Sequence, residues 1–194
     1  MEHWRYYLRG RLLEAFRRPA AAIDAYGTAL SLKPDFSRCA NRLAYTLASL
    51  QRFREAETYF RLVLRLDPVN AVAFFNLAYT CQQLGRFEEA IQAFQESTRL
   101  NEKIDRSWYG LGLCYAHQGR HVEAAAALEK AAALQPMNPH AWYALGMAQH
   151  AAHQPDRVKE VTLHLVRFDP RMARRLILEA ERSDLNYLIK DLAV

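Results

Sequence analysis

The sequence predicts an all-α fold built from stacked pairs of helices. Glycine and proline are sparse, at seven each in 194 residues, whereas a sheet-rich chain of this length needs more turn residues. Small and apolar residues also recur with a period of 34 residues. Within each period the apolar residues follow the i, i+3, i+4, i+7 spacing of amphipathic helices, and two such helices fit in one period.

Five ladders of equivalent positions define the period. One of them contains the small residues Gly10, Ala44, Ala78, Gly112 and Gly146. Small residues such as Gly112 and Ala124 are predicted to let the two helices of a repeat approach closely. The other four are an aromatic set (Tyr6, Phe74, Trp108 and Trp142, with Ala40 as the exception), an alanine set (Ala22, Ala56, Ala90 and Ala124, followed by Val158), a large apolar set (Leu32, Leu66, Leu100, Leu134 and Phe168) and a proline set (Pro34, Pro68, Pro136 and Pro170, with Glu102 at the remaining place). A fixed period of this length is typical of a repeat protein, in which neighbouring units bury a common core.

The fourth period shows the motif most completely. It contains Trp108-x-x-Leu111-Gly112-x-x-Tyr115, followed by Gly119, Ala124, Leu128, Ala131 and Pro136. This pattern resembles the tetratricopeptide repeat, W-x-x-L-G-x-x-Y…A-x-x-x-F…P over 34 residues. The resemblance covers about residues 3–172 and implies a right-handed α-α superhelical solenoid. The five predicted repeats span residues 3–36, 37–70, 71–104, 105–138 and 139–172.

Local signals place the helix ends. Gly85 and Gly119 fall between the two helices of their repeats, where a glycine commonly ends a helix. The segments Leu66-Asp67-Pro68 and Phe168-Asp169-Pro170 are predicted to end second helices, because proline disfavours the helical conformation in the residue before it.

Residues 173–194 are predicted to form a helical cap. Leu176, Ile177 and Ala180 indicate a helix over about 171–182. Ser183 or Asp184 could cap a second helix. The apolar residues of that helix are Leu185, Leu188, Ile189 and Leu192. It either caps the last repeat or docks into a groove or a second subunit.

The resemblance implies that ligands bind on the inner face of the first helices. That face is predicted to be aromatic and basic and to lack acidic side chains. Tyr7, Phe75, Tyr109 and Tyr143 share one register on it, and Asn41 is the exception in that register. The alternative is that these aromatic residues are buried. The candidate binding residues are Arg38, Asn41, Arg42 and Tyr45 in the second repeat, Phe75, Asn76 and Tyr79 in the third, Arg106, Tyr109 and Leu113 in the fourth, and His140, Tyr143 and Met147 in the fifth.

We therefore predict a non-catalytic interaction module or adaptor that binds a peptide or helix carrying acidic groups and an apolar anchor. One subtype of the family captures a terminal carboxylate. Asn76 and Arg106 match two of its positions, but Asn41 and Gly110 stand where basic residues are expected. The remaining alternatives are a self-assembling scaffold, with a homo-oligomer formed through the C-terminal helix, and an accessory subunit of an enzyme complex.

Composition and motifs exclude several other classes. The net charge is +5, but no run of five basic residues occurs, which disfavours a nucleic-acid partner. No nucleotide, hydrolase or metalloprotease motif is present, so neither an enzyme nor a cofactor is predicted. No secretory signal or apolar run long enough for a membrane span occurs, so we expect a cytoplasmic protein.

Cysteine and histidine are the residue types that could bind a metal or react with oxidants. Three cysteines without a C-x-x-C pair are expected to be reduced and buried, which suits a reducing compartment. A metal site is the weaker interpretation of four histidines near helix ends, since histidines there usually contact solvent. These histidines are His117, His121, His150 and His153.

Overall fold

A computed structural model describes residues 1–190, which form helices and the connections between them. The α-helices are α1 (Glu2–Ala15), α2 (Pro19–Leu32), α3 (Ser37–Ser49), α4 (Phe53–Leu66), α5 (Ala71–Gln83), α6 (Phe87–Leu100), α7 (Asp105–His117), α8 (His121–Leu134), α9 (Pro139–Ala151), α10 (Pro155–Val166) and α11 (Pro170–Glu179). A 3-10 helix (Ser183–Leu188) follows. Among these described helices, none combines the length and the apolar character that crossing a bilayer requires.

The helices form two compact units. The first unit, Met1–Asn101, contains α1–α6, and each helix packs against the next one along the chain. Its largest fully buried side chains are Tyr26, Phe60 and Phe94. The second unit begins at Glu102 and contains α7–α11 and the 3-10 helix. Here α11 packs against both α9 and α10.

A left-handed residue separates the two helices of every repeat. The predicted breaks at Gly85 and Gly119 are present, and these glycines have φ values of +74° and +73°. The equivalent positions, at the same 34-residue spacing, hold Arg17, Gln51 and His153 with φ between 55° and 60°. The backbone at this turn is therefore constant although only two repeats use glycine, the residue that adopts this conformation without steric cost.

Small residues permit close helix packing, as predicted. A Cβ atom on Gly112 would lie 2.5 Å from Leu128 Cγ and 3.2 Å from the Ala124 carbonyl oxygen, so α7 and α8 meet closely there. Gly146 differs, because its Cβ would meet Leu176 of α11, at 2.6 Å, rather than α10. The helix after the fifth repeat therefore uses a contact surface on α9.

Polar and proline residues begin the later helices. The Asn70 side chain accepts a hydrogen bond from Ala73 N at 2.9 Å, and Asp169 accepts one from Met172 N at 2.9 Å. These contacts satisfy backbone donors at the starts of α5 and α11. Pro170 occupies the first turn of α11, where proline is favourable. The helix boundaries in this region differ slightly from the prediction: α10 ends at Val166, and the next helix spans Pro170–Glu179.

The final segment differs from the prediction in its helix type. The predicted second C-terminal helix is a short 3-10 helix that packs against α10 and α11. Leu185 is buried, and Leu188 and Ile189 are half-buried, so these residues cover the end of the second unit. Leu192 lies outside the described residues.

Candidate peptide-binding surfaces

The first helices of repeats two and three, α3 and α5, present one continuous set of candidate residues. We call this set the first inner surface. Tyr45 and Tyr79 are 57% and 44% exposed, which is high for large aromatic side chains. The members of the surface are Arg38, Asn41, Arg42, Tyr45, Phe75, Asn76 and Tyr79. Since α3 and α5 are in contact, a single ligand can touch both helices.

Arg38 is a cation at the edge of this surface. Its guanidinium carbon lies 5.8 Å from the centre of the Trp4 ring, within the range of a cation–π contact. Arg38 forms no ion pair with any residue in the part of the chain that the structure describes. Its charge is therefore available to an acidic ligand.

Arg42 is not available in the same way. The sequence predicted no acidic side chain near this face, but Arg42 Nε lies 3.8 Å from Glu14 Oε2. Glu14 also accepts hydrogen bonds from Tyr26 Oη, at 2.7 Å, and from Thr46 Oγ1. The prediction of an unpaired Arg42 is therefore wrong.

The Glu14 cluster is partly buried and ties three helices together. Burial and the hydrogen bond to Glu14 both raise the pKa of Tyr26, so its hydroxyl remains a donor at physiological pH. Glu14 lies on α1, Tyr26 on α2, and Thr46 on α3. Arg42 therefore has an acidic neighbour that the packing of α1, α2 and α3 supplies.

The predicted aromatic ladder is exposed only in part. Tyr7 is 4% exposed, and its ring lies 5.2 Å from Phe36 and 5.6 Å from Trp4. The prediction that Tyr7 continues an exposed stripe is therefore wrong. Phe75 is half-buried, with its ring 6.1 Å from that of Phe94. Exposed aromatic area on α3 and α5 comes instead from Tyr45 and Tyr79.

The second unit carries the remaining candidates, which we call the second inner surface. Arg106 and His140 are exposed, and Tyr109 is half-buried. Burial raises the pKa of Tyr109. The members of this surface are Arg106, Tyr109, Leu113, His140, Tyr143 and Met147. Arg106 forms no ion pair within residues 1–190.

The chain itself contacts one member of the second inner surface. Tyr143 Oη donates a hydrogen bond to Glu179 on α11, and the Arg175 guanidinium lies 4.7 Å from the Tyr143 ring centre. Arg175 and Glu179 also form an ion pair at 2.7 Å. The expectation of a face without acidic side chains is therefore wrong here too.

The cysteines are buried, as predicted. Burial raises the pKa of Cys39 and of Cys114 to about 12. The sulfur of Cys81 lies near the carboxylates of Glu57 and Glu89, and these three residues are the group of potential metal ligands found among residues 1–190. The histidines considered in the sequence do not belong to it.

Ion pairs account for that acidic group. Arg61 lies 2.9 Å from both Glu57 and Glu89, and Arg86 also pairs with Glu57. Burial opposes the ionisation of Glu57, but hydrogen bonds from Arg86 and Arg61 lower its pKa overall. Because two guanidiniums hold these carboxylates, the group fits a structural ion-pair network and does not fit a cation site.

Sequence reasoning missed Glu14 and Glu179. The equivalent positions in the other repeats hold Ala48, Gln82, Ala116 and His150. A single acidic residue at this repeat position was the sequence feature that could have indicated a special role for Glu14. Glu179 lies beyond the last repeat, so the 34-residue period carried no information about its place.

Tetratricopeptide repeat models match residues 5–36, 36–103, 75–136 and 115–178. The chain belongs to the tetratricopeptide repeat family. Together the matches span nearly all of the five predicted repeats, and the pairing of helices observed in both units agrees with them. The predicted fold class, an all-α solenoid of tetratricopeptide repeats, is confirmed.

Several solved structures share this fold. MamA is 23% identical with a TM-score of 0.79, and the match covers 99% of this chain and 97% of that one. YrrB, described as a tetratricopeptide repeat protein with an unusual peptide-binding site, is 21% identical with a TM-score of 0.79 over 91% and 90% of the two chains. A thermophilic tetratricopeptide repeat protein from Thermus thermophilus is 21% identical with a TM-score of 0.61 over 94% and 99%. Comparison with curated proteins finds no match.

Proposed function

We propose that this protein is a non-catalytic interaction module that binds a peptide or helix of a partner protein on its first inner surface. The family assignment supports protein binding in general terms. The observation that carries the finer proposal is the exposure of Tyr45 and Tyr79 together with the unpaired charge of Arg38, which lies two helical turns before Tyr45 on α3.

The two tyrosines supply the apolar contact. Tyrosine combines a large, stiff ring with a polar hydroxyl, and it is enriched among the residues that dominate binding energy. Tyr79 also touches Phe53 of α4, with ring centroids 6.4 Å apart, so part of its orientation is already fixed before a ligand binds. A preordered side chain loses less conformational freedom on binding.

The charges select an acidic partner. Arg38 lacks an acidic partner among residues 1–190, whereas the charge of Arg42 is already balanced by Glu14. Arginine binds carboxylates with two parallel hydrogen bonds, which adds geometric selectivity to the charge attraction. A ligand with carboxylates and one apolar side chain therefore fits the unpaired charge of Arg38 and the exposed rings of Tyr45 and Tyr79.

A structural neighbour supports peptides as the ligand class. YrrB, which has the same fold, is described as having an unusual peptide-binding site. At 21% identity the likeness concerns the fold, so the residues of the present proposal come from the first inner surface alone.

The test begins with a peptide selected from a random display library against the intact chain. Its affinity is then measured by fluorescence anisotropy for Arg38→Glu and for the double variant Tyr45→Ala/Tyr79→Ala. We expect each to weaken binding about tenfold or more, because the first variant reverses the unpaired charge and the second removes the exposed aromatic contacts. The Arg38→Glu effect is expected to shrink at high salt, because screening reduces charge attraction.

Two exposed residues outside the surface provide matched controls. Arg54→Glu makes the same charge change on α4, and Tyr187→Ala removes an equally exposed tyrosine in the 3-10 helix. These variants should bind the peptide like the unaltered chain. If the selected peptides bind the Arg38 and tyrosine variants unchanged, or lose affinity equally for the controls, the first inner surface is not the binding site.

A further inference from the structure

Helix α1 and the residue after it carry the longest row of exposed apolar side chains in the described residues. Trp4, Leu8, Leu12 and Phe16 stand one helical turn apart, and they are 40%, 59%, 58% and 69% exposed. We call this row the α1 stripe. It lies on the side of α1 that turns away from α2, and soluble proteins rarely expose so many large apolar residues together.

Arginines border the α1 stripe on both sides. Arg5 and Arg9 occupy the neighbouring helical row, and Arg11 lies on the opposite side, three residues after Leu8. All three are exposed, and none forms an ion pair within residues 1–190. The helix contains two acidic residues, Glu2 and Glu14. Glu2 is exposed, whereas Glu14 is half-buried and accepts a hydrogen bond from Tyr26.

Comparison with the next repeat argues against a helix packed on this face of α1. The positions 34 residues after Arg5 and Arg9 hold Cys39 and Leu43, which are buried where α3 packs on α2. Cys39 Sγ even reaches the Tyr26 carbonyl oxygen of α2, at 3.5 Å. A helix docked on α1 in this repeat geometry would bury two guanidiniums that have no partner, which is strongly unfavourable.

From these observations we propose that the α1 stripe and its arginines form a docking surface for an anionic lipid bilayer. In this arrangement the apolar side chains enter the boundary between headgroups and acyl chains, while the arginine stems extend so that the guanidiniums reach lipid phosphates. At a bilayer the guanidiniums remain in contact with water and pair with lipid phosphates. Beneath a docked helix they would be buried without such partners. The α1 stripe meets the first inner surface only where the Trp4 ring contacts Arg38. Arg5, Arg9, Leu12 and Phe16 do not belong to the first inner surface, so variants at these positions test lipid binding apart from the proposed peptide function.

The test is co-sedimentation of the intact chain with lipid vesicles. We expect binding to vesicles that contain about 30 mol % phosphatidylserine and little binding to pure phosphatidylcholine. Arg5→Glu/Arg9→Glu and Leu12→Asp/Phe16→Asp are each expected to lower the partition coefficient about tenfold or more, because both charge attraction and apolar insertion are needed.

Matched controls keep the same chemistry at other places. Arg54→Glu/Arg65→Glu gives the same charge change on α4, and Val69→Asp/Val122→Asp replaces valines that are 73% and 62% exposed. Both controls should bind anionic vesicles nearly as well as the unaltered chain, allowing for the change in net charge. Circular dichroism confirms that every variant is folded.

Three outcomes would overturn the proposal. The first is that the unaltered chain does not sediment with anionic vesicles, or sediments equally with both lipid compositions. The second is that the controls lose as much binding as the α1 variants. The third is that light scattering without lipid shows a dimer which Leu12→Asp/Phe16→Asp dissociates, because the stripe would then be an interface between copies of this chain.

Discussion

Two glycines in helices are expected to respond to alanine in opposite directions. Gly27 lies in α2, and a Cβ atom there would meet nothing within 4 Å. Gly112 lies in α7, and its Cβ would lie 2.5 Å from Leu128 Cγ, a side chain that is fully buried. The same chemical change therefore tests helix propensity alone at one position and packing at the other.

The magnitudes follow from two terms. Replacing glycine by alanine inside a helix raises the free energy of unfolding by about 1 kcal/mol. Overpacking a tight core costs about 1–3 kcal/mol. Gly27→Ala should therefore stabilise by about 1 kcal/mol, whereas Gly112→Ala should destabilise by about 1 kcal/mol once both terms are combined.

Urea unfolding followed by circular dichroism measures both changes. Making Gly112→Ala in a Leu128→Ala background removes the obstructing side chain, so alanine at position 112 should there become neutral or stabilising. A stabilising Gly112→Ala in the unaltered chain would refute the close packing of α7 and α8, as would an unchanged effect in the Leu128→Ala background.

Three further predictions concern packing, pH and the C-terminal segment. Ala90→Leu should lower the free energy of unfolding by about 1–3 kcal/mol, because Ala90 is fully buried; an unchanged urea midpoint would contradict the repeat register. The raised pKa of Tyr26 favours its protonated form in the folded state, so stability should fall as the pH rises above about 10, and less in Tyr26→Phe. Deleting residues 184–194 removes buried Leu185. It should increase dye binding to apolar surface if the segment is a cap, or change the mass measured by light scattering if it forms a subunit contact. Unchanged dye binding, mass and stability would contradict both the capping role and the subunit contact.

Periodicity predicted the features that every repeat shares. The two helices per repeat, the breaks at Gly85 and Gly119, and the close approach at Gly112 all depend on local pattern and recur along the chain. They follow from helix spacing and backbone preference, which are properties of neighbouring residues.

Contacts that occur once could not be predicted in this way. Glu14 reaches Arg42 only because α1, α2 and α3 pack together, and Glu179 reaches Tyr143 because α11 packs against α9 beyond the last full repeat. Tyr7 shares its register with Phe75 but is covered by Phe36, a residue in a connection. Only the tertiary structure therefore shows which charged and aromatic side chains are exposed to a ligand and which already contact other residues of the chain.

The buried cysteines also give the protein a built-in set of kinetic reporters. Cys39, Cys81 and Cys114 stand on the first helices of three successive repeats, and each is at most 1% exposed. A thiol reagent can reach each sulfur only when the helices packed around it separate, which for Cys39 includes α2 of the preceding repeat. The three labelling rates therefore resolve local unfolding at three places along the chain. The order in which these sites react would show which helix pairs open first, without any residue being introduced.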